Sequence, residues 1–395
     1  MTSGVRLALT ILSVHNYYKQ PGGEDEVFRG ETALLESHGN AVIRYEERND
    51  RIQSGILSGL MATWNQGSYG RLRGLAQLHK PQIAHFYNTF PLISPAGFYA
   101  VRGQAAVVQK LSNFRLLCPG ATLARNGNVC EECIERKSFL PAVRHRCYRN
   151  SRPATAAVAL MLSAHRGAHT WDRVVDVYVA HTEFARGKFI EGGLPGERIA
   201  VKPHMIWPDP GQGTGRGDYA LFVGRLSEEK GIHTLAEAWR GLADIPLLIA
   251  GDGPLADKDW PPGVTWLGDQ SRESVNSLMK DARVVIVPSV CFEIGPLTVL
   301  EAFAAGTPVI ASDLGSMAER VAHGRNGFLF RPGDSEDLAR QVRWAFEHPE
   351  EMREMRANAR REYEEKYTAE RSYRALMAIY EMAIENSQRR LREAS

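Results

Sequence analysis

The 395-residue chain has no apolar run long enough to cross a bilayer. Its longest, Ala154 to Ala164, is interrupted by Thr155 and Ser163. Charge of one sign is also missing: 48 Lys and Arg against 46 Asp and Glu leave +2. A nucleic-acid partner calls for a strong basic field, so that class of function is set aside. The three spaced glycines of a dinucleotide fingerprint are absent from the first turn, where Gly22-Gly23 stands alone. A cleavable leader is not evident. Arg6 followed by Leu7 to Val14 mimics one, but no small-residue cleavage site follows and His15-Asn16-Tyr17-Tyr18 comes at once. The segment reads as a first buried parallel strand, and the chain as cytoplasmic.

What is present is length for two domains and a repeated alternation of apolar runs with amphipathic segments. Strands are expected at 7–14, 41–45, 83–87, 106–111 and 175–181, with helices at 24–38, 94–101, 154–165 and 183–191. A stretch from Lys202 to Asp218, with Pro203, Pro208, Pro210 and several glycines, reads as a linker. The theme then repeats, with strands at 219–223, 246–250, 264–267, 284–287, 309–312 and 327–330. Helices are expected at 232–242, 274–281, 297–305, 316–322 and 335–346. The expected fold is α/β, two Rossmann-like domains facing across a cleft, over 1–203 and 217–369. Residues 370–395 form a last amphipathic helix that returns to the first domain.

Glu293 and Glu301 carry the most information. They bracket Ile294-Gly295-Pro296-Leu297-Thr298-Val299-Leu300, between the apolar strands Val284–Val287 and Val309–Ile310. A helix that starts at Gly295-Pro296 aims unpaired N–H groups at the space above the sheet, a seat for a diphosphate. Two carboxylates beside that seat cannot hold phosphate, but they accept hydrogen bonds from sugar or ribose hydroxyls. Arg225 and Lys230 follow a strand and Gly224, placed to neutralise a diphosphate leaving group. Each has a plainer reading as a surface charge.

The order of these segments resembles the retaining GT-B glycosyltransferases of family four, the glycosyl transferases group 1. The resemblance rests on Pro21-Gly22-Gly23-Glu24, Phe222-Val223-Gly224-Arg225-Leu226 with Lys230-Gly231, Ala250-Gly251-Asp252-Gly253-Pro254 and Trp266-Leu267-Gly268. It continues through Pro288-Ser289, the Glu293–Glu301 pair, Ala302 to Ala311 and Gly327 to Phe330. It implies a GT-B fold and sugar transfer from a nucleoside diphosphate donor to a hydroxyl acceptor, a glycan or a lipid-linked one. It implies that Gly22 and Gly23 approach the donor, that Arg225 and Lys230 hold the diphosphate, and that Glu293 meets the sugar hydroxyls. It implies that the backbone of Gly295, Pro296 and Leu297 lies near sugar and phosphate and that Glu301 accepts from ribose; the strand end at Leu267, read from the residues alone, offers backbone to a base edge or is a plain turn. No cofactor or catalytic metal is implied. One position departs. Ser112, in Leu111-Ser112-Asn113-Phe114-Arg115, stands where similar proteins place a His that contacts the donor sugar. An altered donor, a weakened enzyme or an engineered change are the three readings.

Two features lie outside that pattern. Cys118, Cys130, Cys133 and Cys147 have spacing that suits a structural zinc ion, with His145 as a substitute ligand; free thiols or a disulfide stay open. From Arg102 to Arg152, ten basic residues face three acids, a balance of +7. That stretch meets anionic lipid on the inner membrane face or a phosphate-bearing acceptor, or is a solvated loop. The alternatives to sugar transfer are a sugar-nucleotide epimerase of similar fold and a weakened nucleotide-sugar- or glycan-binding homologue. No lysine motif for a phosphorylase's pyridoxal phosphate is evident.

Overall fold

A computed structural model describes residues 8–19, 22–51 and 61–393. Leu7 and Pro21, both singled out above, lie outside the described residues. Two six-stranded parallel sheets organise the chain. The first contains β1 (Thr10–Tyr17), β2 (Ala41–Arg48), β3 (Ile83–Asn88), β4 (Ala106–Lys110), β7 (Val177–Ala180) and β8 (Ile199–Val201), in the order β2-β1-β3-β4-β7-β8. Between β4 and β7 a short antiparallel pair, β5 (Ala124–Arg125) and β6 (Asn128–Val129), stands apart. The second contains β9 (Ala220–Val223), β10 (Leu247–Ala250), β11 (Val264–Gly268), β12 (Val284–Val287), β13 (Val309–Ser312) and β14 (Gly327–Phe330). Its order is β11-β10-β9-β12-β13-β14, so the winding reverses between β9 and β12. A crevice opens at such a reversal, above the carboxyl ends of the two strands.

The inner strands are buried on both faces because both faces are covered. Val107 packs into one cluster with Leu12, Phe86 and Phe98; its neighbour Val108 packs into another with Ile11, Val177 and Tyr380. In the second sheet Ile286 belongs to the cluster of Trp239 and Phe330, and Val285 and Val287 to that of Phe303 and Tyr363. The last helix, Ala369–Glu393, lays Leu376, Met377, Tyr380 and Ala383 on the first sheet. The Tyr380 hydroxyl bonds His85 Nδ1 at 2.9 Å, and Arg390 pairs with the buried Asp176 at 2.7 Å.

Besides short helices such as Leu140–His145, two long helices were not expected. Gln66–His79 carries Gly67, Gly70 and Gly74, which blunt its periodicity; only Ser68, Leu72 and Ala76 turn inward, while Asn65 caps it through the N–H groups of Gly67 and Ser68. Pro349–Lys366 is densely charged and hides its stripe in Met352, Met355, Ala359 and Tyr363. The segment read as a linker also begins in the interior. Lys202 is fully buried and His204 nearly so.

Candidate active site

The site is built from strand ends and the turns that leave them. Between β12 and the helix Leu297–Ala304, the turn holding Glu293 brings its carboxylate to Lys230, Oε1 to Nζ 2.6 Å. Ser289 Oγ donates to the same oxygen at 2.7 Å. Burial pushes the Glu293 carboxyl up, but Lys230 and Ser289 outweigh it and hold the group below the usual carboxylate range. Against burial, Glu293 holds the Lys230 ammonium above its ordinary value. The pair therefore stays ionised. The helix Leu297–Ala304 starts at Pro296 with no side-chain cap, so its first N–H groups remain free for a ligand.

A cavity of about 290 Å³ opens here, lined by Gly23, Ser112, Lys230, Glu293, Gly295 and Leu297 among others. It draws on both halves of the chain. Gly23 faces Leu297 so closely that an added Cβ would stand 2.7 Å from Leu297 Cδ1. Gly295 is equally confined: a Cβ would lie 2.9 Å from both His181 Cβ and His204 Cδ2. At Val223 this space meets a second cavity, of about 610 Å³, lined by Gly224, Arg225, Gly251 and Gln270. Gly251 closes that wall with φ +141, where a Cβ would fall 2.0 Å from the Gly224 carbonyl. The exposed Arg225 guanidinium has no ion-pair partner among the described residues. Leu267 sits at a shift in the β10–β11 register, between the pairs Ile249–Trp266 and Ala250–Gly268, and has no pairing partner on β10. Its carbonyl accepts from Gln270 Nε2 at 2.7 Å.

The first half supplies the opposite wall. Asp25 fixes the Gly22-Gly23 turn: one oxygen accepts from Gly22 N at 3.1 Å, the other bonds the buried His15 at 2.7 Å. Glu301 lies one turn farther along its helix, with its carboxyl raised by burial, lowered by Arg272 and raised by Glu26. Arg272 and Glu26 pair across the cleft at 3.1 Å. Of the residues singled out in the sequence, Gly23, Ser112, Lys230, Glu293, Gly295, Pro296 and Leu297 share the smaller cavity. Gly224 and Arg225 line the larger one, and Gly22, Leu267 and Glu301 stand outside both walls. Sequence reasoning gave no role to Glu24 or His204, which also line the smaller cavity. Glu24 was in plain view beside Gly23; His204 was hidden in the supposed linker.

The two remaining features look different in three dimensions. All four clustered cysteines are free, as is the buried Cys291. Cys118, Cys130, Cys133 and Cys147 lie near one another, and burial with the neighbouring thiols pushes Cys133 up to about 12. Among the described residues no group of three or more His, Cys, Asp and Glu could hold a metal ion, so the geometry gives the zinc expectation no support. Metal analysis of the purified chain decides it. The basic stretch is less free than its count suggests. Lys110 is buried against Glu31, Arg115 stacks 4.2 Å over Phe90, and Arg125 and Arg136 both pair with Glu132. Among the described residues no helix is long and apolar enough to cross a membrane.

Residues 212–362 match the family described as glycosyl transferases group 1. D-rhamnosyltransferase WbpZ of Pseudomonas aeruginosa is 30% identical over 160 residues, which are 38% of this chain and 42% of that protein. The 2-deoxystreptamine glucosyltransferase of Streptomyces kanamyceticus is 30% identical over 49% of this chain and 50% of its own length. The chain thus spans half or less of each of these relatives. Among solved structures, Anabaena Alr3699/HepE in complex with UDP and glucose superposes with a TM-score of 0.65 at 18% identity, over 94% of this chain and 98% of that one. WaaG, a glycosyltransferase involved in lipopolysaccharide biosynthesis, gives a TM-score of 0.65 at 16% identity, over 94% and 99%. The fold is GT-B.

Proposed function

We propose that this chain, whose residues 212–362 belong to the glycosyl transferases group 1 family, is a retaining glycosyltransferase. It moves a sugar from a nucleoside diphosphate donor to a hydroxyl of a glycan or lipid-linked acceptor in cell-surface polysaccharide or glycolipid synthesis. One observation carries this reading. At the strand reversal, an uncapped helix N-terminus, the Lys230 ammonium and Arg225, unpaired among the described residues, line two cavities that share Val223. Positive groups converge where a diphosphate would leave, and fixed charges of this kind lower a barrier without rearranging. In this reading Arg225 and Lys230 take the developing charge, Glu293 meets sugar hydroxyls, Glu301 meets the ribose, and the Leu267 backbone meets the base. A donor phosphate oxygen takes the acceptor proton on the face the leaving group departs from, which keeps the anomeric configuration. No side-chain nucleophile is required.

The exposed Leu140 falls within the basic sequence between Arg136 and Arg152, which supports peripheral contact with an anionic membrane. The donor reading is tested with a panel of nucleoside diphosphates and their sugars, read by thermal shift and by release of free diphosphate. A matching pair should raise the unfolding midpoint, and the sugar nucleotide should release diphosphate when acceptor is added. Silence from the whole panel would contradict the reading. In the same panel Ser112→His should reorder donor preference; unchanged ranking and rate would remove any donor-selecting role for Ser112.

A further inference from the structure

Glu293 belongs to the second half of the chain, yet the turn that carries it rests on the first. Thr182 caps the helix Glu183–Glu191, its hydroxyl oxygen accepting from Ala185 N at 3.1 Å. The same hydroxyl stands 2.8 Å from Ser316 Oγ. The carbonyl of Ile294, the residue after Glu293, lies 3.4 Å from Thr182 Oγ1 and 3.3 Å from Ser316 Oγ. Thr182 and Ser316 are fully buried. A hydroxyl has one proton to donate, so one of them donates to the other and that one donates onward to Ile294. The turn is thereby tied to both halves at once. Packing on either side does the same. The Phe292 ring meets Phe184 with centres 4.7 Å apart, and Gly295 lies against His181 and His204.

Ser316 opens a five-residue helix, Ser316–Arg320, that docks where β7 ends. Two more of its side chains take part. Glu319 accepts from the N–H of Glu183 at 3.1 Å and of Phe184 at 2.8 Å. With Thr182, these bonds satisfy three N–H groups that a helix start leaves without intrahelical partners. Two of the three are met by a carboxylate from the other half, whose charge also suits the positive end of the helix. Arg320 is buried and forms no ion pair among the described residues; its guanidinium donates to the His181 carbonyl and, at 2.9 Å, to the Tyr367 hydroxyl. Gly315 leaves the room for this contact. Its φ is +55, and a Cβ there would stand 2.8 Å from Phe184 Cε1 and 3.0 Å from Phe292 Cδ1.

We propose that Ser316, Glu319 and Arg320 are positioning residues that lock the helix Glu183–Glu191 to the turn Phe292–Gly295 and so hold the Glu293 carboxylate in place for the donor sugar. This rests on the donor reading above. None of the three lines either donor cavity, so each acts through the turn. Arg225, Lys230 and the first N–H groups of the helix Leu297–Ala304 all belong to the second half and hold the diphosphate without the lock. Loosening it costs the sugar its hold and spares the diphosphate.

Ser316→Ala and Glu319→Ala are made singly and together, with Glu319→Gln as the conservative change; circular dichroism and the unfolding midpoint check that each is folded. Binding of UDP and UDP-glucose, and of GDP and GDP-mannose, is measured by calorimetry on wild type and variants. The double variant should bind the free diphosphate within twofold of wild type and the matching sugar nucleotide at least about tenfold more weakly, about 1.4 kcal/mol. Glu319 is exposed, so its single variants keep the fold even where the double does not. Glu319→Ala alone should show the same split at about threefold, the size of one charge at a helix N-terminus. Glu319→Gln should lose less, because its amide oxygen still accepts from the helix. A merely structural role would weaken diphosphate and sugar nucleotide alike. That outcome overturns the lock, as does sugar-nucleotide binding unchanged in variants whose wild type binds the diphosphate. Wild type that binds neither diphosphate overturns the donor reading itself.

Discussion

Replacing Glu31 by alanine should destabilise the fold by about 3–5 kcal/mol. Glu31 lies in the helix Gly23–Ser37 and accepts from two ammonium groups, Lys110 Nζ at 2.7 Å and Lys202 Nζ at 2.6 Å. All three side chains are 1% exposed or less. Burial pushes the Glu31 carboxyl up, but the two lysines prevail and hold it well below the usual range. Burial and Lys202 push Lys110 down to about 8, with Glu31 opposing. The acid is therefore the charge that both buried ammonium groups share. Removing it leaves both uncompensated, whereas their own removal would leave one neutralised pair. Glu31→Gln should also destabilise, because an amide accepts a hydrogen bond without neutralising charge. The pH dependence has a definite sign. Glu31 is depressed in the native state, so its stabilisation is complete above its unfolded value and lost as pH falls through the folded one. Lys110 is depressed too. In the native state it binds fewer protons between about 8 and its unfolded value, so its contribution rises with pH across that window. Urea unfolding of wild type and variant measures the effect, and a difference below about 1 kcal/mol would contradict it. The triad also ties Lys202, where the chain leaves the first sheet, to the helix that presents Gly23 and Glu24 to the donor cavity.

Lys230→Ala should lower transfer on the order of 10²–10³-fold in kcat, the usual loss when one stabiliser of developing charge is removed. Lys230 is a third exposed, so the fold should barely notice. Its partner should notice. Glu293 would keep only Ser289, and its carboxyl would move up from the depressed range that Lys230 and Ser289 now impose. The acid side of the pH–rate profile should shift to higher pH accordingly, because the proton is taken up sooner once the ammonium is gone. Arg225→Ala should act on the same step through the neighbouring cavity without that shift, since Arg225 does not touch Glu293. Single-turnover rates at saturating donor separate chemistry from binding. A Lys230→Ala rate within twofold of wild type would place the lysine outside the reaction.

Much of the second sheet could be read in advance because its strands are short, mostly apolar and bounded by turn residues. Val284–Val287 stops at Pro288, Val309–Ser312 starts after Gly306-Thr307-Pro308, and Gly327 opens Gly327–Phe330. The pairing of Lys230 with Glu293, 63 residues apart, followed from neither. It needs the strand order, which puts β9 beside β12. Elements with weak periodicity escaped notice. Three glycines disguised Gln66–His79, and charge disguised Pro349–Lys366. Proline and glycine near Lys202 suggested a linker, but a lysine's neighbours across the fold decide whether it is buried, and here Glu31 draws it in. Glu24 shows the same limit at the site. Its position beside Gly23 was visible, while its bond with Asn113 exists only once the two have been brought together.

A crystal structure with a bound nucleoside diphosphate tests the central claim most directly. The account places the diphosphate between Arg225, Lys230 and the first N–H groups of the helix Leu297–Ala304, with the ribose at Glu301 and the base at the Leu267 backbone. A nucleotide bound elsewhere, or none in this crevice at saturating concentration, would contradict it.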